Sequence, residues 1–202
     1  MPDHPHAHAD HPGVTILPFN GKTPVIHPSA FIAPGCRIIG DVEIGPDASI
    51  WYNCVLRGDD NYIRIGARTN VQDGTVIHVD SPDNHGVGGR PADGRPTIIG
   101  DDVLIGHMAM IHGCVIRDRA FIGLGAIVMS GCIVESDAML AAGALLSPGK
   151  TVPHRQIWSG RPAKYMRDIT DRALIDLREG VDHYVHNGKA HKGAVKAADG
   201  LV

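Results

Sequence analysis

Aliphatic residues return every six positions along most of this chain. In the stretch IGDDVLIGHMAMIHG, residues 99–113, they fall at Ile99, Ile105 and Ile111. Counting upstream gives Ile26, Ile32, Ile38, Ile44, Ile50 and Leu56, then Ile65, Val71 and Ile77. Counting downstream gives Ile116, Ile122, Val128, Val134, Leu140, Leu146 and Val152. Six is neither the 3.6-residue period of a helix nor the plain alternation of a long strand. The pattern therefore predicts short strands joined by corners and stacked as an all-β solenoid. Three units make one triangular coil of about 18 residues, with parallel strands of successive coils about 4.8 Å apart. Residues one coil apart thus stack in columns. Two positions before an aliphatic, the chain repeatedly places a small residue: Ala30, Ala48, Thr69, Thr75, Ala109, Ala120, Ala126, Ala138 or Ala144. Cys36, Cys54, Cys114 and Cys132 occupy the same slot, so they read as small buried apolar residues and not as a disulfide framework.

Two interruptions break the count. GDDNY follows Arg57, and VDSPDNHGVGGRPADGRP fills residues 79–96 with the Gly, Pro and Asp of an excursion. If both loop out, Leu56, Ile77 and Ile111 share one face, the third when Ile26 marks the first. Arg57, His78 and His112 each follow one of these aliphatics, so they point outward in one column with His78 and His112 one coil apart. Two imidazoles at that spacing can share an ion. His107 lies two residues after Ile105 on face two and leaves from another side. Triangular prisms packed around a threefold axis would bring His107 of one copy to His78 and His112 of the next, which predicts a homotrimer with three interfacial sites. Three neutral imidazoles and a water make an open tetrahedral site suited to Zn²⁺ and acceptable to Fe²⁺ or Co²⁺.

After Val152 the repeat stops. Ala173, Leu174, Leu177, Val181, Tyr184 and Val185 then recur at three and four, which predicts an amphipathic helix starting at Thr170 or Asp171 and stopping at Gly188. The expected organisation is a disordered histidine-rich arm (1–13), a β-helix domain (14–167) carrying the loop 79–96, a C-terminal helix (168–188) and a disordered tail (189–202). A chain of 202 residues, 43% hydrophobic and 20% charged, can build one substantial core without splitting into domains. Only 4% is aromatic and 25 residues are glycine, as narrow aliphatic coils require. A net charge of −3 provides no basic field for nucleic acid. No apolar run approaches the roughly 18 residues of a membrane span, and the start has neither a basic nor an apolar leader region. A cytoplasmic protein is expected.

Over about residues 24–169 the chain resembles the gamma-class carbonic anhydrases, which are left-handed parallel β-helix proteins. The resemblance lies in AFIAPGCRIIGDVEIG, SIWYNCVLRGDD, TNVQDGTVIHVD, IGHMAMIHGC and WSGRPAKYMR. It implies a left-handed solenoid in which His78, His107 and His112 are the metal ligands and Arg57 with Asp59 forms a subunit-bridging salt bridge. It further implies that Gln72 hydrogen-bonds the metal-bound water or bicarbonate, that Asn70 and Asp73 are neighbouring motif residues, and that Tyr184 matches a C-terminal tyrosine near the site. The implied activity is hydration of CO₂ to bicarbonate by a metal-bound hydroxide. Asp60 stands where the family has a proton-relay glutamate, and loop 79–96 contains no glutamate, which leaves Asp80, Asp83 or His85 as other carriers. Two other readings stay open. One is a hexapeptide acyltransferase that binds acyl-coenzyme A between coils and uses one histidine as base; the other is a metal-binding trimer of little activity that serves as a scaffold.

Overall fold

The computed structural model describes residues 11–82 and 91–199. It is a left-handed parallel β-helix carrying one C-terminal helix. Most hexapeptides contribute a strand of two or three residues, and strands of equal phase pair in parallel. Val71, Ile105 and Ile122 stack on face two, and Ile77, Ile111 and Val128 on face three. Face two is a separate eight-stranded sheet. Faces three and one form a single sheet because Arg37–Ile44 and Val55–Ile65 run through the corner between them without a break. Every repeat aliphatic except Ile26 is buried, as are the small residues of the corner slot. Ile26, in the first coil, packs partly buried against that core. Burial of one such side chain is worth about 1.5–3 kcal/mol, so the repeat itself supplies the core. All four thiols are free and buried, and burial pushes the Cys114 thiol up.

Most corners place a residue in the left-handed backbone region. Between faces one and two that residue is Asp47, Arg68, Asp102, Arg119, Asp137 and Arg155 in successive coils, with φ from 54° to 60°. Their charges alternate along the column. Arg68 Nε lies 2.6 Å from Asp102, and Arg119 holds both carboxylate oxygens of Asp137 at 3.0 and 2.9 Å. Between faces three and one, Gly113, Gly131 and Gly149 take the turns instead.

The first interruption stays within Val55–Ile65 as a bulge: Gly58 pairs with Gly40, and the next paired residue is Ile63 opposite Val42. The base of the second is closed by backbone bonds from Asp80 N to Arg95 O (2.9 Å) and from Arg95 N to Asp80 O (3.3 Å). The solenoid begins earlier than the count from Ile26, since Thr15–Leu17 pairs with Arg37–Ile44 and sets Ile16 beside Ile38. Residues 11–13, expected in the disordered arm, fold onto this coil, where Gly13 O accepts from Gly35 N. The rest of the arm lies outside the described residues.

A hairpin of Gln156–Ser159 and Lys164–Asp168 leads to the helix, Asp171–Asp199. Thr170 Oγ1 caps its start by accepting from Ala173 N. The helix runs back along face two and does not stop at Gly188. That residue is buried, and a Cβ there would lie 3.3 Å from Ser49 Cβ and 3.6 Å from Phe31 Cβ, so the glycine serves close approach rather than termination. Beyond it, the His191 ring sits 4.8 Å from Trp51 and its Nδ1 meets the Tyr52 hydroxyl at 3.0 Å. Lys192 donates to the carbonyls of Pro28 and Ala30. These contacts explain why residues 189–199 of the tail expected to be disordered (189–202) are helical; residues 200–202 lie outside the described residues.

Candidate metal centre

The strand ladder sets Ile111 beside Ile77 and His112 beside His78. The two rings are 5.1 Å apart, with His78 Nδ1 and His112 Nε2 separated by 3.2 Å. Two nitrogens on a tetrahedral ion, each about 2.0–2.1 Å from it, lie about 3.3 Å apart. The donor pair therefore fits such an ion. His78 Nε2 is 3.1 Å from Asp59 Oδ1. Because a carboxylate only accepts, this contact takes the Nε2–H and leaves the Nδ1 lone pair facing His112. Arg57 forms an ion pair with the other oxygen of Asp59. Burial raises the Asp59 carboxyl, but Arg57 and His78 outweigh it and hold the group below the usual carboxylate range. Asp60 is exposed beside them, and Asp59, Asp60 and His78 offer three ligand atoms within 4.8 Å of one another.

His107 stands apart from this group, at the corner between faces two and three. Its Nδ1 lies 2.8 Å from Asp73 Oδ2, while Asp73 Oδ1 accepts from Tyr52 N at 3.1 Å. Gln72, nearly buried, is on the same side, with its backbone N bonded to Ile105 O. Tyr184 reaches this side from the helix: its ring stacks edge-on against Trp51, and burial together with the Asp73 charge pushes its hydroxyl up. Asn70 is fully buried; its Nδ2 donates to Ser49 Oγ at 2.9 Å, and its Oδ1 has no partner among the described residues. One chain thus holds two groups. Arg57, Asp59, Asp60, His78 and His112 form one, and Gln72, Asp73, His107 and Tyr184 the other.

Ser130 and Arg95 were missed in the sequence. Ser130 Oγ is 2.9 Å from His112 Nδ1, and the spacing of 18 residues was the available signal. Asp80, expected as a proton carrier, has a side chain with no exposed surface, which rules out direct exchange with solvent. Asp83 and His85 lie outside the described residues.

The description "Bacterial transferase hexapeptide (six repeats)" matches residues 23–58. The chain is 41% identical over 177 residues to gamma carbonic anhydrase 2, mitochondrial, of Arabidopsis thaliana, a match covering 88% of this chain and 62% of the plant protein, under two thirds of its length. It is 40% identical over 177 residues to a carbonic anhydrase of Geobacillus kaustophilus, covering 88% and 91%. A solved Bacillus cereus structure named as an acetyltransferase superposes with a TM-score of 0.82 at 37% identity, covering 90% of this chain and 99% of that one. A histidine pair set by the ladder, on a fold and sequence shared with these relatives, places the chain in the gamma-class carbonic anhydrase family of hexapeptide-repeat proteins.

Proposed function

We propose that the protein is a metal-dependent carbonic anhydrase that hydrates CO₂ to bicarbonate at sites shared between neighbouring copies of a homotrimer. The observation that carries this reading is the His78 and His112 pair, whose facing nitrogens have the separation of two ligands on one tetrahedral ion. His107 of a second copy supplies the third nitrogen, with Zn²⁺ preferred and Fe²⁺ or Co²⁺ accepted. Such an ion, when bound, acidifies water to a pKa of roughly 7, the chemistry that CO₂ hydration needs at neutral pH.

The chain's own residues do the rest. Asp59 holds the His78 ring and is itself held by Arg57. Asp73 orients His107, and Gln72 offers its amide to the substrate oxygen. Asp60, exposed at the rim, passes the released proton to solvent. Assembly is supported by large apolar side chains left exposed around both groups: Met108 at 70%, Leu124 at 51%, Met110 at 41% and Met129 at 37%. Among the described residues no helix is long and apolar enough to cross a membrane, and we place the activity in the cytoplasm.

The test is metal content, mass in solution and stopped-flow CO₂ hydration on the full chain, with His107→Ala measured in parallel to subtract metal held by the N-terminal histidines. The expected result is a trimer with about one first-row ion per chain above the variant's background, and hydration lost in the variant. A metal-loaded trimer that hydrates no CO₂ sinks the enzyme reading in favour of the scaffold. An acyltransferase remains the second reading because of the name of the Bacillus cereus structure, and calorimetric binding of acetyl-coenzyme A would favour it.

A further inference from the structure

We infer that Ser130 and Asp80 position His112 for metal binding by holding its ring proton on Nδ1, with Arg95 keeping Asp80 in place. The inference rests on the proposed role of His112 as a ligand. Its basis is a chain of contacts among the described residues. Asp80 is wholly buried, with its Oδ1 3.0 Å from Ser130 Oγ and its Oδ2 3.5 Å from Arg95 Nη1. Ser130 Oγ is in turn 2.9 Å from His112 Nδ1. Asp80, ion-paired with Arg95, accepts from the Ser130 hydroxyl. That leaves an oxygen lone pair facing His112, which must answer with Nδ1–H. The lone pair of the ring then sits on Nε2, the nitrogen turned toward His78. His78 reaches the matching state through Asp59. Two carboxylates on opposite sides thus leave two facing lone pairs, an arrangement that calls for a cation between them.

The backbone is shaped to admit this chain. Ile111 and Ile116 are five residues apart where the repeat is six, and the shortened corner turns on Gly113 at φ +50°. A Cβ there would lie 3.2 Å from Asp80 Oδ2 and 3.3 Å from Arg95 Cβ. At Gly131, in the next coil, a Cβ would lie 2.9 Å from Arg95 Nε. The two glycines clear the groove through which Arg95 and Asp80 reach the histidine. Both reach it from the clasped base of the excursion, so the loop that interrupts the solenoid also delivers the residues that orient the ligand.

The experiment uses the full chain with ¹⁵N-labelled histidine. Long-range ¹H–¹⁵N spectra of metal-free protein report the proton position on His112, assigned by the loss of its signals in His112→Ala. Zinc affinity is measured by chelator competition, with His112→Ala as the background. Wild type should show the Nδ1–H form. Ser130→Ala should lose that preference and bind zinc about 10- to 100-fold more weakly, whereas Ser130→Thr, which keeps the hydroxyl, should restore both. Asp80→Asn should behave as Ser130→Ala. If Asp80→Asn fails to fold, the two Ser130 variants still decide. Unchanged proton position and affinity in Ser130→Ala would overturn the inference. A wild type that binds zinc yet hydrates no CO₂ would remove the enzyme reading and leave this one standing. A wild type that binds no zinc would remove the ligand role on which both depend.

Discussion

Two corners of the prism face the same backbone demand and answer it with opposite chemistry. Between faces one and two, six consecutive turns place Asp or Arg in the left-handed region, where an L-residue costs about 1–2 kcal/mol. The cost is offset locally, because Arg68 pairs with Asp102 and Arg119 with Asp137, while Asp47 and Arg155 pair with Lys189 and Asp171 of the helix. Between faces three and one the turns fall on glycine. Strain is removed there, and so is volume, which Arg95 and Asp80 take up. A corner with only a structural duty can thus keep its side chains. The corner beside the histidines has given them up to admit others.

Substitutions can break that contrast. The largest effect is expected from Gly131→Val, which adds a branched Cβ at φ +72° against the Arg95 guanidinium. Denaturant unfolding should show a loss of about 3 kcal/mol, accompanied by weaker zinc binding; unchanged zinc affinity would separate the glycine from the ligand.

Arg119→Met at the charged corner comes next. It leaves the Asp137 carboxylate buried without its partner and should cost about 1–3 kcal/mol, with zinc affinity unaltered. The same pair sets a pH dependence. Burial raises the Asp137 carboxyl, yet Arg119 outweighs it and the net shift is downward. Its stabilisation is therefore present above the unfolded carboxylate value of about 3.9 and lost as pH falls through the lower folded value. Acid unfolding of wild type and Arg119→Met should show a shallower decline for the variant below about pH 4; parallel curves would assign the acid sensitivity elsewhere.

The smallest effect belongs to Gly149→Ala. It shares the left-handed turn, but nothing lies within 4 Å of the added carbon. About 1 kcal/mol of strain alone should appear by thermal or denaturant unfolding, with zinc binding intact. A drop in affinity here would mean that turn geometry, and not the space left for Arg95, governs the site.

Much of this was legible in the sequence. Counting by six located the interior aliphatics, and removing the two interruptions placed His78 beside His112, because ladder register depends on phase and not on how many residues intervene. His107 likewise fell on another side, as the count required. Ile16 escaped notice because one aliphatic gives no period. The helix end was misjudged because Gly188 has the same letter whether it caps a helix or lets one approach Ser49 and Phe31. The chain from Arg95 through Asp80 and Ser130 was hidden for a different reason. It needs the excursion to return across a glycine corner, a tertiary fact that local spacing does not encode.

The hold of Lys192 on the first coil bears on how long the solenoid can grow. Each coil directs its amides toward the next, as in Phe31 N to Ala48 O and Ala33 N to Ile50 O. Among the described residues Phe31–Ile32 ends the face-two sheet, so its carbonyl side has no preceding strand and presents the kind of β-edge on which another molecule can pair end to end. The Lys192 ammonium occupies the carbonyls of Pro28 and Ala30 and sets a positive charge on that rim. The far end of the helix thus puts a charge on the rim of a repeat that could otherwise stack, a usual means of blunting a β-edge.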